Sequence, residues 1–199
     1  DGTEEVVGTT FIDDCQWDRS EERTVMGGSA ATDTTNGYIA LRYSTTTPSF
    51  IFKSVDVKDG WYEFEYSMPT AVGASTYYRI HMFIGYTGES LIDGNPRYGY
   101  SIEIDKKLNS IRLRDNVAWA YRGTISEAGV TGDGYYKIGV LADFSLGTFK
   151  IYLNGIYKGT LTANPILVTD GRVGFGCMNS TIANSTANIR NVQIIAAFP

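Results

Sequence analysis

The stretch that decides the fold is TFKIYLNGIYKG, at residues 148–159. Polar and apolar residues alternate up to Leu153, which is the period of a half-buried β-strand. Asn154-Gly155 follows, and this pair supplies the two positive φ angles of a type I′ turn. The residues after the turn begin a second strand. We therefore predict an antiparallel β-hairpin at this position.

The same alternation recurs along most of the chain, in short runs bounded by turn residues. Runs of this kind occupy residues 39–43, 50–55, 61–66, 78–84, 98–104, 110–114, 135–142, 172–176 and 187–195. The chain has 22 glycines and only 5 prolines, which suits many tight turns. No segment shows a sustained helical period. Ten or more short strands predict an all-β domain, either a sandwich or a barrel.

Length and charge limit the class of protein. A chain of 199 residues with 43% hydrophobic residues is the size of one β-sandwich domain with its own core. The net charge of −5 argues against a nucleic-acid partner and against anionic lipid. No run of 18 apolar residues is present, so we expect no membrane insertion. The chain starts at Asp1 without an initiator Met, and we expect a processed product or part of a larger parent protein.

Several strand motifs in the second half occur in a known order. They are YSIEI at 100–104, SIRL at 110–113, YYKIGV at 135–140, FKIYLNG at 149–155, GRVGFG at 171–176 and NIRNV at 188–192. Together with FIDDC at 11–15 and Trp17, this order resembles the concanavalin A-like lectin/glucanase superfamily, which includes laminin-G-like and related sugar-active modules. The resemblance implies a two-sheet antiparallel jelly-roll β-sandwich. It covers about residues 10–195, so we expect an N-terminal extension at 1–9 and one domain at 10–199.

The resemblance specifies function less than fold, because the matching residues are turn glycines and core hydrophobics. Relatives often carry Asp in the closing motif, and some hold a structural calcium there. This chain has Arg190 at that position, so we expect no metal and no cofactor. Arg190 is expected either to pair with Asp13 or Asp14, or to be solvated together with both.

The two cysteines are Cys15 and Cys177. In the architecture that the resemblance implies, their segments are neighbours, so we predict a disulfide. A bridge that closes so long a loop would stabilise the fold by about 4–5 kcal/mol in the chain-entropy model. Two buried free thiols are the alternative.

Two glycosylation sequons lie near the second cysteine, Asn179-Ser180-Thr181 and Asn184-Ser185-Thr186. In a secreted eukaryotic protein, Asn179 and Asn184 would be the acceptors. A loop rich in Ser, Thr and Asn also produces such triplets by chance.

One strand carries the main candidate for a binding face. Alternation places Tyr77, Arg79 and His81 on one side, with Ile80 and Met82 on the core side. Arginine and histidine supply hydrogen-bond donors, and aromatic rings stack on the apolar faces of sugars. The face must be open or internally paired, because a core does not accept an unpaired arginine. Further candidates for the same ligand-binding surface are Tyr98, Tyr100, Arg112, Arg114 and Tyr121. Trp119 either stacks on a sugar or fills the core.

Enzymatic interpretations have weaker support. Some polysaccharide lyases of this fold use an Arg, His and Tyr face, but their signature strings are absent here. Glu63 with Glu65, and Glu103 with Asp105, have only the spacing of a glycosidase pair, and charged residues that alternate on a strand usually face solvent. We therefore assign no catalytic residue.

These observations favour a non-catalytic carbohydrate-binding or adhesive module, extracellular or at a cell or virion surface, whose partner is a glycan or polysaccharide. A jelly-roll polysaccharide lyase is the first alternative. The second is a structural subunit of a virion, fibre or surface assembly, which would self-assemble.

Overall fold

The computed structural model describes the greater part of the chain. The described residues are 9–13, 24–26, 29–33, 35–43, 49–54, 59–68, 79–86, 91–92, 95–96, 99–132, 134–165, 172–178 and 185–196. Their regular elements are all strands. These are β1 (Thr9–Asp13), β2 (Thr24–Met26), β3 (Ser29–Asp33), β4 (Tyr38–Tyr43), β5 (Ser49–Ser54), β6 (Gly60–Ser67), β7 (Arg79–Tyr86), β8 (Leu91–Ile92), β9 (Asn95–Pro96), β10 (Tyr100–Asp105), β11 (Ser110–Asp115), β12 (Ala120–Ile125), β13 (Tyr135–Asp143), β14 (Thr148–Leu153), β15 (Ile156–Thr162), β16 (Arg172–Met178) and β17 (Ser185–Ala196).

The strands form two large antiparallel sheets. The eight-stranded sheet has the order β15-β14-β13-β6-β17-β4-β3, and β1 pairs with another part of β17. The seven-stranded sheet has the order β12-β11-β10-β7-β16-β5-β2, and β8 and β9 form a separate short pair. Both sheets combine consecutive hairpins with neighbours that are distant in sequence, such as β6 with β17 and β7 with β16, as in a jelly roll. The predicted all-β, two-sheet antiparallel sandwich is confirmed.

The core lies between the two sheets and is built by alternation. Strand β6 turns Tyr62, Phe64 and Tyr66 inward, and all three are almost completely buried. From the other sheet, Phe175 places its ring 4.9 Å from that of Phe64. Each fully buried apolar side chain of this kind stabilises the fold by about 1.5–3 kcal/mol relative to exposure. The inner faces therefore hold the sheets together, and the outer faces are left for other roles.

The hairpin predicted from residues 148–159 is confirmed. Asn154 and Gly155 have φ angles of 51° and 79°, the two positive values that a type I′ turn requires. The Asn154 side chain also accepts a hydrogen bond of 2.9 Å from the backbone N–H of Lys137, on the neighbouring strand β13. The turn residue therefore sets the hairpin and ties it to the rest of its sheet.

Three sequence predictions concern other parts of this framework. Cys177 has a free, buried thiol, so the predicted disulfide is not shown; Cys15 lies outside the described residues. The expected proximity of the two segments stays a prediction: Cys177 lies on β16 of the seven-stranded sheet, and β1, which ends at Asp13, pairs with β17 of the other sheet. Arg190 donates to Glu65 at 2.7 Å, so it is not merely solvated; the side chains of Asp13 and Asp14 lie outside the described residues, and pairing with them stays a prediction.

Other predictions fall on residues that the structure does not describe. Asn179 and Asn184 are outside the described ranges, so glycosylation stays a prediction. The same holds for the N-terminal extension at 1–9, of which only the final residue is described, as the start of β1. Among the described residues, no helix is long and apolar enough to cross a membrane.

Candidate functional site

A cluster of charged side chains lies on the outer face of the seven-stranded sheet. It is formed by four adjacent strands, β7, β10, β11 and β12. The register places Glu103 of β10 directly opposite His81 of β7 and Arg112 of β11. We call the following residues the arginine–carboxylate cluster: Arg79, His81, Glu103, Asp105, Arg112, Arg114 and Tyr121.

Alternation along β10 explains why the carboxylates point away from the core. Ile102 and Ile104 face the core, so Glu103 and Asp105 point to the opposite side of the sheet. Both carboxylates nevertheless have no exposed surface. Charges that are removed from water in this way must be compensated by partners within the protein.

Glu103 is at the centre of the cluster. Its carboxylate accepts a hydrogen bond from Arg112 Nη2 and one from the Tyr121 hydroxyl, which lies 3.0 Å from each oxygen. Arg114 Nη1 is 3.6 Å from Glu103 Oε2, and Arg79 Nε is 3.8 Å from Oε1. Burial raises the pKa of Glu103, but Arg112, Arg79 and the Tyr121 hydrogen bond, together with His81 whenever its ring carries a proton, outweigh it and leave the pKa below its usual 4.5. Glu103 is therefore ionised at neutral pH.

Asp105 binds both Arg79 and Arg112. Arg79 Nε donates to Asp105 Oδ2 at 2.8 Å, and Arg112 Nη2 donates to the same oxygen at 2.7 Å. Its other oxygen accepts from the backbone N–H of Leu108. Three guanidinium groups and two carboxylates thus leave one positive charge in excess, within a chain of net charge −5.

His81 lies on β7, directly opposite Glu103 of β10, in the buried part of the cluster. Its side chain is completely buried, its ring lies 5.6 Å from that of Phe83 in a stacked arrangement, and its Nε2 is 3.4 Å from Glu103 Oε2. Burial lowers the pKa of His81 to about 4, so the ring is neutral at pH 7. The predicted exposure of His81 to a ligand is wrong for this structure, because the side chain has no accessible surface.

At the edge of the sheet, arginines and aromatic rings alternate in space. The Arg114 guanidinium lies 3.7 Å from the centre of the Trp119 ring and 4.9 Å from that of Tyr121, and Arg112 lies 4.3 Å from the same tyrosine ring. We call these four residues the arginine–aromatic ladder. Trp119 is half-buried, and Tyr121 is 40% exposed. The ladder therefore extends from the buried carboxylates to solvent.

The turn between β11 and β12 positions Trp119. Asp115 Oδ1 accepts hydrogen bonds from the backbone N–H groups of Val117 and Ala118, at 2.9 and 3.0 Å. Trp119 then adopts a φ of 53°, in the left-handed region that bulky residues rarely enter. Such strain persists only where surrounding contacts hold it, and it is concentrated at functional sites.

The structure brings together only part of the predicted site. Arg79, Arg112 and Tyr121 meet in the cluster, and Trp119 joins them through Arg114. The sequence allowed the face that carries Arg79 to be either open to solvent or paired within the protein. The structure shows the second arrangement, because Arg79 binds Asp105. Tyr100 was wrongly placed: it shares its side of β10 with Ile102, is buried in the core and donates to the backbone oxygen of Asn164 at 2.5 Å. Tyr77 and Tyr98 lie outside the described residues.

The sequence analysis missed the central position of Glu103. A signal was present, since YSIEID and SIRLRD flank a short connection and pair as an antiparallel hairpin. That register sets Glu103 against Arg112. Opposite charges that face each other across two strands predict an ion pair rather than a catalytic acid.

The other carboxylates that were considered for glycosidase chemistry are also paired. Glu63 accepts from Lys137 Nζ at 2.8 Å, and Glu65 accepts from Arg190 Nε at 2.7 Å. Within the described ranges, no group of three or more His, Cys, Asp or Glu side chains is arranged to hold a metal ion.

Comparison with known proteins gives fold likeness at low sequence identity. No protein-family model matches the chain, and no curated protein matches it in sequence. Among solved structures, the carbohydrate-binding module CBM66 from Bacillus subtilis is 20% identical with a TM-score of 0.63, over 88% of this chain and 96% of that one. The potassium-bound carbohydrate recognition domain of Emp46p is 14% identical with a TM-score of 0.65, over 90% of each chain.

A Bacillus licheniformis β-glucanase is similar in the same way, at 14% identity and a TM-score of 0.61, over 95% of this chain and 99% of that one. The chain shares the two-sheet β-sandwich fold of these structures. The resemblance seen in the sequence motifs is thus confirmed at the level of fold. Because this fold carries both binding modules and enzymes, function must be argued from the site.

Proposed function

We propose that the chain is a non-catalytic carbohydrate-binding module that holds a glycan at the arginine–aromatic ladder. The observation that carries this proposal is the Trp119 ring, which is partly accessible and stacked on the Arg114 guanidinium at 3.7 Å. A ring that is already held in place loses little conformational freedom when a sugar stacks on it. Exposed Tyr121 adds a second ring and a hydroxyl group beside it.

The state of the carboxylates supports binding over hydrolysis. Glycoside hydrolysis needs one carboxyl group to donate a proton and another to act as base or nucleophile. Glu103 and Asp105 are buried and bound by arginines, and Glu63 and Glu65 each bind a cation. Neither of these two pairs is therefore free to supply the acid and the nucleophile that glycoside hydrolysis needs.

The lyase alternative has less support than binding. That interpretation uses a histidine or a tyrosine as base: His81 is completely buried and cannot reach a sugar in this conformation, and the hydroxyl of the exposed Tyr121 is hydrogen-bonded to Glu103. The neighbours named as a carbohydrate-binding module and as a carbohydrate recognition domain support glycan binding by analogy of fold. The proposal includes a location outside the cell or at a cell or virion surface, where glycan partners are found.

A glycan array followed by isothermal titration calorimetry tests the function. We expect at least one glycan to bind without being cleaved, and Trp119→Ala to weaken that binding about tenfold, equivalent to about 1.4 kcal/mol. Tyr157→Ala is the matched control, because Tyr157 is an exposed ring, 53% accessible, on β15 of the other sheet. Chromatography of the same samples reports self-assembly. Absence of glycan binding, or equal losses in the two variants, would contradict the proposal.

A further inference from the structure

Arg114 differs from the other arginines of the cluster. It is only 8% exposed, yet its Nε and Nη1 atoms have no hydrogen-bond partner within the described part of the chain. Its one ionic contact there is the 3.6 Å approach of Nη1 to Glu103. Arg79 and Arg112, in contrast, donate to Asp105 at 2.8 and 2.7 Å. The excess positive charge of the cluster is therefore located at Arg114.

The surroundings of Arg114 make that charge unfavourable without a partner. Burial lowers the pKa of Arg114, and the positive charges of Arg79 and Arg112 act in the same direction. A buried guanidinium that lacks hydrogen bonds costs free energy, because water no longer solvates its N–H groups. An anion that accepted two N–H groups at once would supply the missing compensation.

The ladder leaves Arg114 suited to such an anion. Trp119 and Tyr121 contact the guanidinium through their ring faces, at 3.7 and 4.9 Å from their centres. Stacking of this kind uses the π-faces, while hydrogen bonds to a guanidinium lie in its own plane. Nε and Nη1 are themselves enclosed in this conformation, and only 10% of the Arg114 side chain is accessible. A sugar that stacks on Trp119 would bring its charged substituent to that accessible part, and a shift of the neighbouring rings is needed before the substituent can bond Nε or Nη1.

We propose that the site selects anionic glycans, and that Arg114 binds the carboxylate or sulfate substituent of the sugar held by Trp119 and Tyr121. This inference rests on the proposed glycan-binding function. The net charge of −5 repels polyanions at long range, so selectivity must come from the local excess of charge at this one position. Arg79, the residue that the sequence favoured for this role, already binds Asp105.

Titration calorimetry with matched polysaccharide pairs tests the proposal. Polygalacturonate is compared with its methyl ester, and carrageenan is compared with agarose, so the two pairs separate carboxylate from sulfate recognition. We expect the native chain to bind the charged member of one pair at least tenfold more tightly than the neutral member. Arg114→Gln should reduce that preference to within about twofold, while Arg114→Lys should retain part of it, because a lysine keeps the charge but not the planar pair of donors.

Arg190→Gln is the control, since it removes the same charge from the opposite sheet, and it should leave the preference unchanged. Equal binding of the charged and neutral members by the native chain would overturn the proposal while leaving glycan binding intact. Retention of the full preference in Arg114→Gln would also overturn it. If Arg114→Gln does not fold, the proposal is still tested by the preference of the native chain for the charged polysaccharide and by the change in that preference in Arg114→Lys. Absence of binding to every glycan would instead refute the underlying function.

Discussion

His81 and Glu103 face each other inside the protein, with His81 Nε2 at 3.4 Å from Glu103 Oε2 and no exposed surface on either side chain. They lie directly opposite each other on β7 and β10. Burial, together with the positive charges of Arg114, Arg79 and Arg112, lowers the pKa of His81 and keeps its ring neutral, while Arg112 and Arg79 lower the pKa of Glu103 and keep it ionised. This relationship makes the stability of the fold sensitive to acid.

The first prediction concerns pH. His81 binds a proton near pH 6.5 in the unfolded chain but only near pH 4 in the folded one. Between these values the unfolded state holds more protons, so the free energy of unfolding falls as the pH is lowered. We expect a loss of about 2 kcal/mol between pH 7 and pH 5, measured by urea denaturation at each pH.

His81 is the only histidine of the chain, which makes the control direct. His81→Gln should remove most of the pH dependence in this range, whatever its effect on stability at pH 7. Glu103, whose pKa is also lowered, loses its contribution only below about pH 4.5 and is outside the measured window. Equal slopes for the native chain and the variant would rule out His81 as the source.

The second prediction concerns Glu103→Gln. The substitution keeps the shape of the side chain but leaves Arg79, Arg112 and Arg114 with Asp105 as the only carboxylate of the cluster. Removal of one partner from a buried ionic group typically costs about 3–5 kcal/mol, and we expect a loss of that size in the free energy of unfolding at pH 7.

Glu63→Gln is the matched control for that measurement. It breaks a single ion pair with Lys137, whose side chain is 44% exposed, and should cost less than about 1 kcal/mol. Similar costs for the two variants would show that the Glu103 ion pairs add no more to stability than one at the surface.

The third prediction concerns the outer face of the other sheet, where the Trp61 ring lies over Gly139. A Cβ atom at position 139 would overlap the six-membered ring of Trp61. Gly139→Ala should therefore lower the free energy of unfolding by about 1–3 kcal/mol. In a Trp61→Ala background the overlap is absent and the same change should cost much less. Equal costs in the two backgrounds, measured as a double-mutant cycle, would exclude this packing explanation.

The fourth prediction concerns Cys177. Burial raises the pKa of its thiol to about 12, so it should resist iodoacetamide in the native protein at pH 8. In denaturant without reductant it should be alkylated, as mass spectrometry of the Cys177 peptide would show. If alkylation requires prior reduction, Cys177 is in a disulfide, and the bridge to Cys15 that the sequence suggested would become the first explanation.

Local patterns in the chain predicted the strands well because their causes are local. Alternation assigned Ile80 and Met82 to the core, and Asn154-Gly155 specified a turn, since both effects depend on near neighbours in sequence. The same local rule, applied to Tyr100, would have placed it in the core with Ile102. Its assignment to the binding face was an error in applying the pattern rather than a limit of the pattern.

The site was predicted only in part because its energetics depend on strands that are distant in sequence. Arg79 and Asp105 are 26 residues apart and meet only because β7 and β10 are paired. The sequence alone could not show that Arg79 is already bound, nor that Arg114 has donors without a partner. The alternation of β10 also gave no sign that Glu103 and Asp105, which lie on the outer face of the sheet, would be buried.

By itself, the sequence determined that this chain is all-β, because strand periodicity and turn chemistry are set by each residue and its near neighbours; the choice of a sandwich over a barrel came from the resemblance to a known family. It also determined which side chains share a face of a strand. Only the tertiary structure decided which of those faces is buried, which carboxylate meets which arginine and where one positive charge is left uncompensated. Those outcomes depend on strand order and register, which bring distant charges within a few ångströms in a medium that screens them weakly.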